Sequence, residues 1–325
     1  MDPRTERRPS AFRPAMTGLV ALVLALGPVG PATGGGQTCP GHEDDPRHQV
    51  VGTNGIDGLV GTNGADVICA LGGDDTVSAL GGNDLVLGGP GVDTLLGGLG
   101  DDTVVGGSGA DAAPDQRDFG RIGLFGNDGD DRIVGGDGGD HLFGQEGRDR
   151  LEGSSGADLL LAGNGPDDLF GGLGLDVLAP GPGPDDVEGG AGFDYLDLGG
   201  ARGPAVVRLQ AGTAAGPGVG RDDLGGVEGV AGTEKRDVLA GDGGRNGLYG
   251  FGGNDVISGL AGADALFGGA GFDRLNGGPG RDRCLRQGGG GSVSSCERTT
   301  GAGIRLDLAG SASRHAFRPA MSAVH

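Results

Sequence analysis

The chain has no tryptophan, only 2 tyrosines and 10 phenylalanines among 325 residues, and a single lysine, Lys235. A broad globular core built from so few large apolar side chains would bury little per residue and could not offset the backbone entropy of folding. Length alone suggests about two ordinary domains; composition argues against ordinary ones. Positive charge is also scarce, with 24 Lys and Arg against 45 Asp and Glu, a net charge of −21. That excludes nucleic acid as a partner, because phosphate binding needs a basic surface. Long apolar runs are missing too: residues 19–26 form the longest candidate, and they are too short to span a bilayer. What is abundant is glycine, 80 residues, without the strict every-third spacing of collagen.

So large a negative charge opposes compaction unless cations neutralise it. A merely solvated acidic surface would not place its acids at regular intervals, so the regularity points to a metal. The first 32 residues read as an export signal: Arg4, Arg7, Arg8 and Arg13 precede the apolar run, and small residues follow around 30–32. Arg7 and Arg8 leave twin-arginine and general export both open, with an uncleaved anchor as the other reading. Four cysteines fit an oxidising compartment. They allow three pairings; the local pairs Cys39–Cys69 and Cys284–Cys296 would each staple one open end of a repeat array, worth roughly 3 kcal/mol in the chain-entropy model. Zinc is the competing use, but the Cys-x-x-Cys spacing is missing.

A nine-residue period organises the rest. Residues 33–51 read as an N-terminal cap, and a first block of seven units covers 52–114. A break with one degenerate unit occupies 115–125, and a second block of eight units covers 126–197. Residues 198–231 interrupt the period, six units fill 232–285, and 286–325 form a C-terminal cap and tail. The sixth place of every unit but one is aspartate. The first block supplies Asp57, Asp66, Asp75, Asp84, Asp93, Asp102 and Asp111. The second supplies Asp131, Asp140, Asp149, Asp158, Asp167, Asp176, Asp185 and Asp194, and the third Asp237, Asp255, Asp264, Asp273 and Asp282, with Asn246 as the exception. The eighth place is almost always aliphatic, as at Leu59, Ile68, Val77 and Val86.

Each place has a physical reason. Glycines at the first, second and fourth places permit positive φ and a tight turn that aims carbonyl oxygens inward. The sixth-place carboxylate ends the turn. The next three residues form a short strand whose middle side chain points inward. Such strands bury an aliphatic column only when stacked in parallel. Two units make one coil, so residues 18 apart lie roughly 4.8 Å from each other. Asp57, Asp75, Asp93 and Asp111 then share one edge, and Asp66, Asp84 and Asp102 the other. Carboxylates at that spacing repel, and a hard cation between coils reverses the sign. Calcium, which takes six to eight oxygen ligands in flexible geometry, fits better than magnesium.

The pattern Gly-Gly-x-Gly-x-Asp-x-aliphatic, as in residues 97–104 and 268–275, resembles the hemolysin-type, or RTX, calcium-binding repeat over about residues 50–285. The resemblance implies an all-β fold, a parallel β-roll (β-solenoid) of nine-residue Gly/Asp repeats stabilised by calcium. It also implies calcium between adjacent turns, held by turn carbonyls and the sixth-place Asp, and folding on calcium after export. Departures from the pattern predict weak or absent calcium at Asn246, at the turn stiffened by Pro180, Pro182 and Pro184, and at 117–125, where Ile122 replaces Asp. Ala113 and Cys284 shorten the aliphatic column near block ends.

No segment outside the repeats is long enough for a catalytic fold. His42-Glu43 followed by His48 misses zinc-protease spacing, there is no Gly-x-Ser-x-Gly elbow, and no enzyme is expected. Ninth-place aromatics Phe125, Phe143, Phe170, Tyr249 and Phe267 point outward and predict short exposed ladders, either a cell-surface or self-association surface or one covered by the tail or by 198–231. In 198–231, residues 205–209 alternate like a strand, as a longer excursion from the roll or a binding loop would. Residues 304–308 look strand-like, and Ala-Phe-Arg-Pro-Ala-Met occurs at both 11–16 and 316–321 without a physical explanation. The sequence thus predicts a secreted, extracellular calcium-binding protein with a structural or adhesive role. The alternative is a calcium-dependent secreted enzyme or toxin component whose catalytic part lies elsewhere.

Overall fold

A computed structural model of the chain describes residues 39–111, 123–288 and 290–297. The expected export signal, most of the break at 115–125 with Ile122 and Ala113, the strand-like 304–308 and both copies of the repeated hexapeptide lie outside the described residues.

Short β-prone triplets separated by glycine turns cannot form isolated sheets, so the chain coils and each triplet pairs with the one a full coil away. The described residues make a β-solenoid of two facing sheets, one of 15 strands and one of 12, and outside 198–231 successive strands alternate between them. Pairing is parallel and in 18-residue register: Leu151 faces Leu169, and Leu142 faces Leu160. The eighth-place side chains from both sheets meet between them in one continuous apolar cluster that runs from Val50 to Cys284. Ile68, Leu95, Ile133, Leu160 and Leu248 in this cluster are fully buried. The core is therefore only as thick as two opposed aliphatic side chains, which accommodates the shortage of aromatics.

Some strands have the three residues expected, such as Thr76–Ser78 and Val256–Ser258, and others are longer. Many continue into the following turn, as in Thr94–Leu99, Arg150–Gly156 and Asp168–Gly174. Turn backbones stack in the same register as the strands: the Gly91 amide donates to the Ser108 carbonyl at 3.0 Å, and the Gly147 amide to Asn164 at 3.1 Å. Stacking at that spacing leaves no room for side chains. Gly156 and Gly174 sit at φ +148° and +143°, and a Cβ on either would strike the carbonyl of the glycine one coil earlier.

The break at 115–125 does not interrupt the column. Strand Thr94–Leu99 pairs in parallel with Gly123–Asp128, placing Leu124 between Leu95 and Leu142. Residues 198–231 do change the pattern. Val206–Arg208 runs antiparallel to Thr213–Gly216, which runs antiparallel to Gly220–Gly225. The outer strands of this three-stranded unit pair in parallel with the roll on either side, Asp186 facing Asp223 and Val206 facing Val238. The excursion is therefore integral to one sheet, while the other is continued by the single strand Gly229–Ala231.

Cystines lie near both ends of the roll, Cys39–Cys69 and Cys284–Cys296. Cys69 sits on the outer side of its strand in a small cluster with Cys39 and Val67. Cys284 instead occupies an inward place in the main apolar cluster, and Cys296 packs against that cluster.

The ninth-place aromatics stack as expected but are not exposed ladders. Phe125 lies on Phe143 and Tyr249 on Phe267, with ring centroids 4.6 Å apart in both pairs. Phe125, Phe143 and Phe267 are each less than a tenth exposed, and Leu285 below them is 9% exposed. Tyr249 is half-buried beside Tyr195 and Phe251, and Phe170 lies under the Arg150 guanidinium, 4.0 Å from its centroid. Coils so close together make each ring shield its neighbour, which the linear pattern does not convey.

Candidate metal centre

The sixth-place aspartates are brought together in two columns, one along each edge of the solenoid. Within a column each carboxylate after the first does the same thing: its Oδ1 accepts a hydrogen bond from the backbone amide of the column member one coil earlier. Along one edge the Asp57 amide donates to Asp75 at 2.8 Å, Asp75 to Asp93 at 2.9 Å and Asp93 to Asp111 at 2.6 Å. Asp111 then donates to Asp140 at 2.7 Å, a step of 29 residues that crosses the break, and the column continues through Asp158 and Asp176 to Asp194. The other edge runs Asp66, Asp84, Asp102, Asp131, Asp149, Asp167 and Asp185 in the same way. The proline-rich turn leaves Asp185 in this arrangement, its Oδ1 2.9 Å from the Asp167 amide.

In the third block, Asp237, Asp255 and Asp273 form one column, and Asn246, Asp264 and Asp282 the other. The sequence pattern missed two further members. Asp222, inside the 198–231 excursion, accepts from the Asp185 amide at 3.4 Å, and Glu228 accepts from the Asp194 amide at 2.9 Å. Neither stands at a sixth place. The only signal available was acidity within the strand at 220–225 and just before the one at 229–231.

The second carboxylate oxygen has a different fate. From Asp75 onward the Oδ2 atoms of Asp84, Asp93, Asp102, Asp131 and most later members, Asp222 included, are buried and meet no hydrogen-bond donor. An ionised carboxylate only accepts, and leaving such an atom dry and unpaired costs several times a surface group's price. In the turns whose first place is glycine, Oδ2 also lies against that residue; a Cβ at Gly88, Gly97 or Gly144 would collide with it. The turns of Asp75, Asp84, Asp167 and Asp185 carry Ala70, Ala79, Ala162 and Pro180 there instead.

Electrostatics point the same way. Two unit charges ~5 Å apart repel by roughly 3 kcal/mol at an effective dielectric near 20. Burial pushes Asp93, Asp102, Asp131 and Asp149 up to about 7, Asp158 and Asp222 to about 8, and Asp140 and Asp176 to about 6. The amide hydrogen bond to Oδ1 opposes burial in each case without cancelling it, and neighbouring carboxylates add to the rise for most of them. The columns are thus unfavourable as bare anions and well suited to a hard, oxygen-seeking cation. Oxygen-only donors with irregular backbone carbonyls nearby match calcium's preferences better than those of zinc or magnesium.

Among known proteins, a family model described as RTX calcium-binding nonapeptide repeat (4 copies) matches residues 51–86, 78–112, 125–160, 143–178, 180–201, 231–266 and 258–292. None of the curated proteins compared matches the chain. The repeated Gly/Asp turns, the two parallel sheets and the matched segments, which together cover more than half of the sequence, agree: the chain belongs to the family of RTX calcium-binding nonapeptide repeat proteins.

Proposed function

We propose that this is a secreted, non-enzymatic calcium-binding protein that folds on meeting extracellular calcium and serves a structural or adhesive role. Its ligands are the sixth-place aspartates whose Oδ2 meets no donor, together with the turn carbonyls; in Asp57, Asp66 and Asp237 that oxygen is already taken by Thr53, Thr62 and Thr233. The observation that carries the reading is the row of buried Oδ2 atoms without a donor, repeated coil after coil. A single orphaned carboxylate is an irregularity; a periodic series in a chain of net charge −21 is a design for bound cations. Calcium would supply the countercharge, so that folding free energy and binding free energy become one quantity. Two cystines support an oxidising destination, and the basic-then-apolar pattern of residues 1–32 supports export. No helix among the described residues is long and apolar enough to cross a membrane.

Far-ultraviolet circular dichroism of the full chain, in chelator and then in about millimolar calcium, tests the reading. A gain of β signal with calcium is expected, and no gain would refute it. A hydrolase screen in the same calcium buffer tests the non-enzymatic part; turnover there would replace the structural role with a catalytic one.

A further inference from the structure

Among the described residues, four repeat turns differ from the others. In the cation-type turn, the second place takes positive φ and, except at Gly183 of the proline-rich turn, so does the fourth, as at Gly98 (122°) and Gly100 (117°), and the aspartate Oδ2 is left without a donor. In the turns at 52–57, 61–66, 232–237 and 241–246, no residue takes positive φ. These turns close on themselves instead. Asp57 Oδ2 accepts from the Thr53 amide at 2.6 Å and the Thr53 hydroxyl at 2.9 Å, and Asp66 Oδ2 from Thr62 in the same way, at 2.6 and 3.0 Å. The Thr233 amide donates to Asp237 Oδ2 at 2.6 Å, and its hydroxyl to Oδ1 at 2.8 Å. In the fourth turn the carboxylate is replaced altogether, and Asn246 Oδ1 accepts from the Asp242 amide at 2.9 Å.

The places of these turns matter as much as their chemistry. The first two form the opening coil of the roll. The other two form the coil that follows the 198–231 excursion. The columns that begin at Asp57 and Asp66 end at Glu228 and Asp222, and new ones begin at Asp237 and Asn246. Both starts are sealed by protein groups. Asp66 Oδ1 lies 2.7 Å from His48 Nδ1, and Asp237 Oδ1 accepts from the Ala205 amide at 2.7 Å. Across the join, the Asn246 side-chain amide donates to the Glu228 carbonyl at 3.3 Å, where a carboxylate pair would otherwise stand. Lys235 occupies a fourth place that would be strained by the left-handed conformation of a cation-type turn.

We infer that the roll consists of two calcium-dependent units in tandem, 52–228 and 232–285, each opened by a coil whose turns need no cation. The inference rests on the calcium reading above and adds that the ion series is broken at 232–246. Calcium binding then propagates within a unit, because each ion orders the coil that presents the next site. It does not propagate across a coil that is already closed by its own hydrogen bonds.

Segment-resolved hydrogen exchange on the full chain, followed across a calcium titration, tests the division. Asp102→Asn removes one ligand from the first unit and Asp255→Asn one from the second. Asp102→Asn is expected to raise the calcium concentration for half-protection by about tenfold over 67–197, with 250–285 unchanged, and Asp255→Asn to do the reverse. If either substitution shifts both segments together, the division is overturned while calcium-driven folding stands. If neither segment of the unsubstituted chain gains protection, both readings fall.

Discussion

Asp93 and Asp75 are linked across one coil: the Asp75 amide donates to Asp93 Oδ1 at 2.9 Å, while the Oδ2 of Asp93 is buried without a donor. One oxygen thus serves the protein and the other is left over. Asp93→Asn separates the two tasks, because asparagine has the same shape and its Oδ1 can still accept the Asp75 amide. In calcium the variant loses a ligand charge, and the calcium midpoint of folding should rise by about tenfold. In chelator at pH 8 the sign reverses: the variant no longer buries a repelling charge, so its residual β signal should equal or exceed that of the parent. A calcium titration followed by circular dichroism checks both halves, and a variant weaker in calcium and in chelator alike would contradict the assignment of Oδ2.

The pH dependence follows from the raised carboxylates. Burial lifts Asp93, Asp131 and Asp149 to about 7 and Asp158 to about 8 in the roll without a cation, against about 4 in an unfolded chain. A group whose folded pKa is raised stabilises the fold fully below its unfolded pKa, and that contribution is lost as pH climbs through the folded value. Calcium-free protein should therefore hold more β structure near pH 5 than at pH 8. Calcium must displace the protons retained by the roll, so its affinity should rise over the same interval with proton release in weakly buffered solution. Calorimetry in buffers of different ionisation enthalpy measures that release, and calcium uptake without it at pH 6 would count against buried protonated carboxylates.

Backbone conformation at the second place of the turns gives a pair of opposite expectations. Leu80, at φ +81°, occupies a place that glycine fills in many other units, such as Gly89 and Gly98; Leu71, Phe251 and Leu260 do the same at +80°, +62° and +70°. A left-handed L-residue costs about 1–2 kcal/mol, and glycine in its place costs some unfolded-state entropy. Leu80→Gly should thus be neutral or stabilising by up to ~1 kcal/mol in calcium. Gly156→Ala meets the Gly138 carbonyl one coil earlier as well as the φ penalty, and should destabilise by at least about 2 kcal/mol. Denaturant unfolding in saturating calcium measures both; equal effects would show that the turns are less tightly stacked than found.

These leucines also mark how far the sequence could be read. The sixth-place aspartates and eighth-place aliphatics were legible because one physical demand, a stacked coil, recurs at every unit. Leu71 and Leu80 were legible only as missing glycines, since stacking above and below, not local preference, imposes their conformation. Asp222 and Glu228 continue the columns from outside the period: antiparallel pairing of Ala214 with Asp222 carries the chain back to the edge by a route that has no nine-residue signature. Thr53, Thr62 and Thr233 look like ordinary second-place substitutions until their hydroxyls are seen on the carboxylates four residues later. Outward placement of Phe125 and Phe143 followed from alternation; their burial did not, because it comes from contacts between coils.

The two cystines should differ in what they protect. Cys39–Cys69 spans a 30-residue separation and fastens residues 39–47 across the first coil, outside the apolar column. Cys284–Cys296 spans 12 residues and closes the bottom of the column itself, with Cys284 1% exposed beneath Leu266. Loop-closure entropy alone makes each worth roughly 3 kcal/mol, slightly more for the longer loop. Removing the C-terminal bridge, however, also loosens a packing element, and Cys284→Ser places a hydroxyl at the end of an aliphatic column. Cys284→Ser/Cys296→Ser should therefore cost more than Cys39→Ser/Cys69→Ser despite the shorter loop, and its hydrogen-exchange protection should fall over 265–294 while 67–197 is unaffected. Guanidinium unfolding of both double variants in saturating calcium, with exchange read by segment, decides it; a larger loss for the N-terminal pair would mean that chain entropy, and not the closing of the core, sets the value of these bridges.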